Sequence, residues 1–250
     1  MFAPHMWLCW ALFIVCGIGS LEMLDAFEVA GNSPARLVVY ISLAFAVPLS
    51  LTPGIGSDAA LIVSFIILAG SVLTLASREH ADWTDAAAPL YIAYSTIIPA
   101  MLMMRIDTIP SCGRLLFFMV FGIALLGDTA ALYIGRSFGK RGLSPLSPSK
   151  TVEGAIGGLL GSVAGALLIG LISVHSLRIT DLTWLHYIII GTSSGILGQL
   201  GDLSASLVKR RCGVKDFGAL FPGHGGIMDR LDSVLFAAYA VYVFAKVFIH

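Results

Sequence analysis

The sequence has few charged residues. Of its 250 residues, only 12% are charged and 57% are hydrophobic, and the mean hydropathy is +0.90. A soluble domain carries about 25% charged residues, so half of that share cannot cover a surface that faces water. The hydrophobic content also excludes a disordered chain. The composition therefore indicates an integral membrane protein.

An excess of charge of one sign is also lacking. The 15 basic and 15 acidic residues cancel, so no global field indicates nucleic acid as a partner.

The segment before the first apolar run contains no Lys or Arg. A signal peptide begins with such basic residues, so we expect a retained N-terminal membrane helix.

Cysteine is scarce and scattered. Cys9, Cys16, Cys112 and Cys212 form no CxxC pair and have no histidine at zinc-ligand spacing, which excludes a disulfide framework and a zinc site. The phosphate-binding P-loop, the serine nucleophile elbow and HExxH are missing as well. The motifs of common soluble enzymes therefore do not account for this chain.

Eight apolar runs are long enough to cross a bilayer, which takes about 20 residues each. They cover residues 6–24, 36–55, 58–76, 86–104, 114–134, 152–174, 183–206 and 231–249. The connections are short, so we predict an all-α integral membrane protein with one domain over residues 1–250. Its bundle of about eight transmembrane helices divides into N-terminal spans in residues 1–110 and a catalytic half in residues 111–250.

Nine of the 15 basic residues lie in two loops, after the fifth and the seventh run. They are Arg136, Lys140, Arg141 and Lys150 in the first loop, and Lys209, Arg210, Arg211, Lys215 and Arg230 in the second. Loops two spans apart lie on the same side of a membrane, and the positive-inside rule makes that side cytoplasmic. We therefore expect a multi-pass protein of the cytoplasmic membrane.

Glycines recur at four-residue spacing in the sixth and seventh runs, at Gly157, Gly161 and Gly165 and again at Gly191 and Gly195. Small residues at this spacing let helix backbones approach closely. The pattern predicts tight packing of these two helices.

Polar residues interrupt the second half at three places. They are Asp128 with Thr129, Gln199 with Asp202, and a segment from Lys209 to Asp232 that holds Asp216, His224 and Asp229. A carboxylate at membrane depth normally faces a cavity or a partner. A single one could simply pair with a basic residue to stabilise the bundle, but three sites on one membrane face favour a function.

These residue types suit phosphoryl or nucleotidyl transfer. Asp202, Asp229 and Asp232 offer the oxygen ligands that Mg²⁺ prefers, and basic residues such as Lys150 and Lys209 suit phosphates. Gly225 and Gly226 let backbone N–H groups approach a ligand, and His224 is either a general base or a phosphate contact. Binding of anionic headgroups by the basic loops is the alternative, but it leaves the aspartates unexplained.

Two blocks of sequence carry a family resemblance. Residues 206–232 read SLVKR, four further residues, then KDFGALFPGHGGIMDRLD; the second block comprises Gly127-Asp128-Thr129, Gly135, Gly139-Lys140 and residues 147–154, SPSKTVEG. Together they resemble the signature of the phosphatidate cytidylyltransferase family, also called CDP-diacylglycerol synthases. The resemblance covers roughly residues 120–240. Family members usually have a second basic residue where Ser149 stands.

The resemblance implies a nucleotidyltransferase of phospholipid biosynthesis, which converts CTP and phosphatidic acid into CDP-diacylglycerol and pyrophosphate. It also implies a homodimeric helical bundle in the lipid bilayer, with a polar cavity open to the cytoplasm. The family is Mg²⁺-dependent, and its two metal-binding aspartates correspond to Asp202 and Asp229. Whether a monovalent cation accompanies Mg²⁺ stays open.

We assign three sets of site residues on this basis. The metal set is Asp202, Asp229, Asp128 and Asp232, the last two for a second ion or for orientation. The catalytic set is Asp202, Asp229, Lys150, Lys209, Lys215 and Arg230. The set that contacts the nucleotide and its phosphates is Ser149, Thr151, Arg210, His224, Gly225 and Gly226.

Other functions stay open at this point. A related CTP-using membrane enzyme, either a CDP-archaeol-type synthase or a polyprenol kinase, is the nearest alternative. An ion-coupled transporter would also use buried aspartates, although the sequence shows no internal repeat. A non-catalytic assembly factor would bind no CTP. The compact chain suggests a bacterial host.

Overall fold

The chain is almost entirely helical. The computed structural model describes residues 3–27, 34–52, 58–76, 83–144, 147–174, 182–220 and 225–249. Within these residues the helices are α1 (Ala3–Ala26), α2 (Pro34–Leu51), α3 (Asp58–Ala76), α4 (Trp83–Ile92), α5 (Ile98–Asp107), α6 (Gly113–Phe138), α7 (Val152–Ile172), α8 (Trp184–Arg211) and α9 (Met228–Phe248). A π-helical turn, Ala93–Ile97, joins α4 to α5, and two strands, β1 (Gly142–Ser144) and β2 (Ser147–Thr151), precede α7.

Each of the eight apolar runs corresponds to a helical segment, the fourth run being α4, the π-helical turn and α5. Among the described residues, five segments are long and apolar enough to cross a membrane: Trp7–Ala26, Ala86–Asp107, Gly113–Phe138, Val152–Ile172 and Met228–Phe248. Pro34–Ser50 and Asp58–Thr74 are shorter apolar helices. The prediction of an all-α, multi-pass membrane protein is confirmed.

The distribution of side chains on α3 is the reverse of that on a water-soluble helix. Leu61 and Phe65 are 67% and 71% exposed, whereas Val63 and Ile67 are buried and Ser71 is only 2% exposed. A helix that faces water puts its polar residues outside. Large apolar residues on the outer face therefore suit contact with lipid chains.

By its internal contacts the chain divides into two compact units. The first unit comprises residues 1–105 and 209–231, and the second comprises residues 106–208 and 232–250. The predictions of a single domain and of a catalytic half in residues 111–250 stay predictions.

In the first unit, polar side chains of the apolar helices bond to nearby backbone. The hydroxyls of Ser20, Ser42 and Ser50 each donate to the carbonyl oxygen four residues earlier, at 2.8, 2.7 and 2.6 Å. This local bond lets a serine lie inside an apolar helix without an unsatisfied hydroxyl. The Thr96 hydroxyl lies 3.4 Å from the sulfur of Met228 at the start of α9.

In the second unit, glycines bring α6, α7 and α8 into close contact. A Cβ atom at Gly161 of α7 would lie 2.5 Å from Ala130 Cβ of α6, and one at Gly191 of α8 would lie 2.8 Å from Val163 Cα of α7. Side chains at these positions would push the helices apart. The predicted role of the glycine pattern in packing is confirmed.

A short hairpin follows α6, where the sequence predicts only a basic loop. β1 and β2 are antiparallel, with Gly142 opposite Thr151 and Ser144 opposite Ser147. Thr151 then caps α7, because its Oγ1 accepts a hydrogen bond of 3.1 Å from the N–H of Gly154. The hairpin thus fixes Lys150, the residue before the cap, at the beginning of α7.

Candidate active site

The second unit contains a cavity of about 480 Å³ between α6, α7 and α8. All of its lining residues belong to this unit, and many are glycines, among them Gly127, Gly154, Gly158 and Gly198. Small-molecule sites have volumes of roughly 300–1,000 Å³, so the cavity is large enough for a small-molecule ligand. Because glycines have no side chains to fill it, the glycine-rich faces of these helices leave this space open.

Charged side chains face the cavity from three elements. The ammonium group of Lys150, at the end of β2, forms an ion pair with the carboxylate of Asp202 on α8. The Lys150 and Asp202 side chains are 26% and 36% exposed. Asp128 and Arg136 on α6 line the same cavity. The structure therefore brings three residues that the sequence predicts, Lys150, Asp202 and Asp128, to one place.

Asp128 is held by a serine that sequence analysis missed. The Ser233 hydroxyl donates a hydrogen bond of 2.8 Å to Asp128 Oδ2. The preceding residue, Asp232, is only 7% exposed, and its Oδ1 accepts the Ser233 N–H at 2.7 Å. Asp232 thus lies beside the residue that orients Asp128.

Two uncharged polar side chains extend the cavity lining along α8. Gln199 donates from Nε2 to the carbonyl oxygen of Ala155 at 2.9 Å. Ser194 is 1% exposed, and its hydroxyl has no hydrogen-bond partner within the described part of the chain. A buried hydroxyl of this kind is available to a polar group of a ligand.

In the first unit, Asp229 is enclosed by donors. Its Oδ1 accepts from Lys209 Nζ at 2.7 Å, and its Oδ2 accepts the N–H groups of Phe217 at 2.9 Å and Gly226 at 3.0 Å. The side chains of Asp229 and Lys209 are 6% and 13% exposed. Lys209 Nζ also lies 5.4 Å from the centre of the Phe217 ring, a cation–π contact. The signature segment therefore folds around this carboxylate.

Position 225 requires a glycine, both for its backbone conformation and because there is little room for a Cβ atom. Its φ is +82°, a value that L side chains rarely adopt. A Cβ atom there would lie 3.1 Å from Asp229 Oδ2 and 3.3 Å from the carboxyl carbon of Asp216. The prediction that Gly225 and Gly226 approach a ligand stays a prediction; in the structure they lie against the protein's own carboxylates.

Comparison with known proteins identifies the family. The chain matches the cytidylyltransferase family over residues 1–248. It belongs to that family. The phosphatidate cytidylyltransferase of Haemophilus influenzae is 39% identical over 155 residues, which are 58% of this chain and 52% of that protein.

Two further proteins named phosphatidate cytidylyltransferase are also similar to this chain. The phosphatidate cytidylyltransferase of Brucella suis is 34% identical over 191 residues, covering 76% of this chain and 67% of that protein. That of Staphylococcus saprophyticus is 40% identical over 176 residues, covering 70% and 63%. The aligned part of this chain thus spans about half to two thirds of the length of these relatives.

The remaining predicted residues of this cytidylyltransferase family member belong to the first unit or to the hairpin before α7, or lie outside the described residues. Arg210, Lys215 and Arg230 are exposed residues of the first unit. Thr151 lines the cavity in addition to capping α7, and Ser149 lies in β2. The prediction for His224 lies outside the described residues.

Carboxylates of the cavity fit a magnesium ion. Asp128 and Asp202 both line it, and Mg²⁺ is usually held by one or two carboxylates together with substrate phosphates and water. Within the described ranges, no three side chains of His, Cys, Asp or Glu form a ready metal cage. The donor set is thus one that would hold Mg²⁺ together with a phosphate ligand.

Sequence analysis missed several residues that the structure places at these sites. Arg136 counted only toward membrane orientation, yet it lines the cavity. Ser194 and Ser233 gave no signal, because a serine in an apolar helix usually bonds to its own backbone. Glu22, whose carboxylate accepts the N–H groups of Ile227 and Met228, gave a visible signal: it is a carboxylate within the first apolar run, and such a residue normally has a partner.

Proposed function

We propose that this protein is a phosphatidate cytidylyltransferase, which transfers CMP from CTP to phosphatidic acid. The observation that carries the proposal is the cavity in which Lys150, Asp202, Asp128 and Arg136 meet. Cations beside carboxylates suit phosphates and their metal ion. Membership of the cytidylyltransferase family and the names of three relatives support the same substrates.

The reaction needs little acid–base chemistry. A phosphate oxygen of phosphatidic acid bonds to the α-phosphorus of CTP, and the bond from that phosphorus to the bridging oxygen of the β-phosphate breaks, which releases pyrophosphate. The lipid phosphomonoester is already ionised near neutral pH, because its second pKa is about 6 by analogy with phosphoserine. No general base is therefore needed, and the proposal gives His224 no such role.

The difficulty is that an anion must approach a polyanion, so catalysis depends on charge and positioning. In the proposal Lys150 and Arg136 bind phosphate oxygens and leave the Asp202 carboxylate available for a metal ion. Bound Mg²⁺ would supply charge neutralisation on the nucleotide phosphates. That Asp202 and Asp229 hold one such ion together, with Asp128 and Asp232 for a second ion or for orientation, stays a prediction from the sequence.

We place the enzyme in the cytoplasmic membrane as a homodimer, with the cavity open to the cytoplasm. The two loops that hold nine basic residues support this orientation by the positive-inside rule. CTP would then arrive from water, while phosphatidic acid would enter sideways from the leaflet.

The test is a product assay with purified protein. CTP labelled at its α-phosphate is incubated with phosphatidic acid vesicles and Mg²⁺; we expect labelled CDP-diacylglycerol and an equal amount of pyrophosphate. Release of CDP and formation of polyprenyl phosphate in a parallel reaction with polyprenol as the acceptor, without CDP-diacylglycerol in the first, would instead indicate a polyprenol-kinase type of enzyme. Absence of CTP binding would indicate an assembly factor, and ion flux in proteoliposomes without CTP would indicate a transporter. Each of these three results would overturn the proposal.

A further inference from the structure

A carboxylate of the first helix contacts the signature segment 205 residues later. Glu22 lies on α1 within a candidate membrane span. Its Oε1 accepts the N–H of Ile227 at 3.1 Å, and its Oε2 accepts the N–H of Met228 at 3.1 Å. Met228 is the first residue of α9. All of these residues belong to the first unit.

The segment leaves room for this carboxylate by means of two glycines. A Cβ atom at Gly218 or at Gly226 would overlap the carboxylate of Glu22. Any larger residue at either position would force Glu22 away from the start of α9. The close fit shows that Glu22 is built into the fold of the signature segment.

Two carboxylates together accept backbone N–H groups at and near the start of α9. Asp229 accepts the N–H groups of Phe217 and Gly226, and Glu22 accepts those of the next two residues, Ile227 and Met228. The first N–H groups of a helix have no partner within it and carry partial positive charge. Hydrogen bonds from them to an ionised carboxylate are stronger than neutral ones. Glu22 therefore fixes the backbone from which the Asp229 side chain projects.

We propose that Glu22 is a positioning residue, which holds the start of α9 and thereby the place of the Asp229 carboxylate, a metal ligand in the proposed function. This inference rests on the proposed function. It also gives the N-terminal spans a role in the site, because α1 supplies a residue that acts through Asp229.

Asp25, one turn further along α1, offers a matched control. It is also acidic, but its side chain is 69% exposed and pairs with Arg36 on α2. Asp25→Asn removes a negative charge from the same helix without touching the signature segment. Glu22→Gln keeps the size of the side chain but replaces one acceptor oxygen with an NH₂ group that faces a backbone N–H.

Two measurements test the inference. The first is hydrogen–deuterium exchange of the amides of residues 226–228 in the protein without ligands, which needs no activity. The second is the Mg²⁺ concentration that gives half-maximal formation of CDP-diacylglycerol. Because a hydrogen bond to a charged group is lost, we expect Glu22→Gln to raise both the exchange rate and the Mg²⁺ requirement about tenfold. We expect Asp25→Asn to change each less than about twofold.

The outcomes separate positioning from plain structural support. Unchanged exchange in Glu22→Gln would overturn the inference, and so would faster exchange with an unchanged Mg²⁺ requirement. If Glu22→Gln does not fold, Glu22→Asp, which keeps the charge on a shorter side chain, is judged by the same two criteria. If the wild-type protein forms no CDP-diacylglycerol, the proposed function fails by itself; the exchange rates and the Mg²⁺-dependent rise in melting temperature then decide the role of Glu22.

Discussion

The two units each contain a lysine–aspartate pair, and the two pairs differ in how they are held. Lys209 and Asp229 are 13% and 6% exposed, and two backbone N–H groups also bind the Asp229 carboxylate. Lys150 and Asp202 are 26% and 36% exposed and lie at an open cavity. The first pair is part of the folded signature segment, whereas the second borders space that a ligand can fill.

This difference indicates different contributions to stability. Breaking a buried pair leaves an uncompensated charge and strongly destabilises a protein, whereas a partly exposed pair contributes little. We therefore expect Asp229 to contribute both to the stability of the fold and to the reaction. We expect Asp202 to contribute to the reaction and very little to stability. Four substitutions test or refine the comparison.

The largest effect is expected for Asp229→Asn. The change leaves Lys209 without its charged partner, so we expect the free energy of unfolding to fall by about 3 kcal/mol. We expect the rate of CDP-diacylglycerol formation to fall at least about 100-fold. Thermal unfolding in detergent and the product assay measure the two quantities. Equal thermal stability of this variant and Asp202→Asn would remove the distinction between the pairs.

Lys150→Ala should affect substrate binding rather than folding. Loss of a charge-assisted contact to a phosphate should raise the KM for CTP or for phosphatidic acid about 50-fold, while the melting temperature stays close to that of the wild type. Lys246→Ala is the control, because Lys246 is an exposed lysine in the last turn of α9. Saturation kinetics with each substrate would show the effect, and an unchanged KM for both would reduce Lys150 to a residue of membrane orientation.

Ser233→Ala should give a smaller loss. It removes the 2.8 Å hydrogen bond to Asp128, so we expect the rate to fall about tenfold if Asp128 acts in the cavity. Ser193→Ala is the matched control, since the Ser193 hydroxyl donates to the carbonyl oxygens of Ile189 and Ile190 in its own helix. Identical rates in the two variants would exclude a role for the Ser233–Asp128 bond.

The smallest effect is expected for Thr151→Ala. Removing the cap of α7 should lower the free energy of unfolding by about 1 kcal/mol. Activity should fall modestly, through the placement of Lys150 and through loss of the Thr151 hydroxyl that the sequence assigns to nucleotide binding. Thr151→Ser keeps the capping oxygen and should restore the stability. A variant that melts like the wild type would show that the hairpin alone fixes the start of α7.

Most of the fold could be predicted from the sequence, because about 20 apolar residues in a membrane can satisfy their backbone groups only as a helix. The bounds of the helices were less predictable. The run at residues 183–206 ends where charge begins, yet α8 continues to Arg211, since basic residues are favourable at a helix C-terminus. The hairpin gave no signal, because its strands have only three and five residues and no alternating pattern.

The sequence predicted which residue types form the site, but not which lysine pairs with which aspartate. Carboxylates and lysines in an apolar chain pointed to Asp202, Asp229, Lys150 and Lys209, but nothing local assigns Lys150 to Asp202 or Lys209 to Asp229. The contact of Glu22 with Ile227 and Met228 spans more than 200 residues. Such contacts depend on how helices pack, which a pattern within one helix does not contain.

The most direct test of the account is the rate at which purified wild-type protein and Asp202→Asn convert CTP and phosphatidic acid into CDP-diacylglycerol. We expect the wild type to form product and pyrophosphate in equal amounts. We expect Asp202→Asn to lose at least about 100-fold in rate while its free energy of unfolding stays within about 1 kcal/mol of the wild type. A fully active Asp202→Asn, or a wild-type protein that forms no CDP-diacylglycerol, would contradict it.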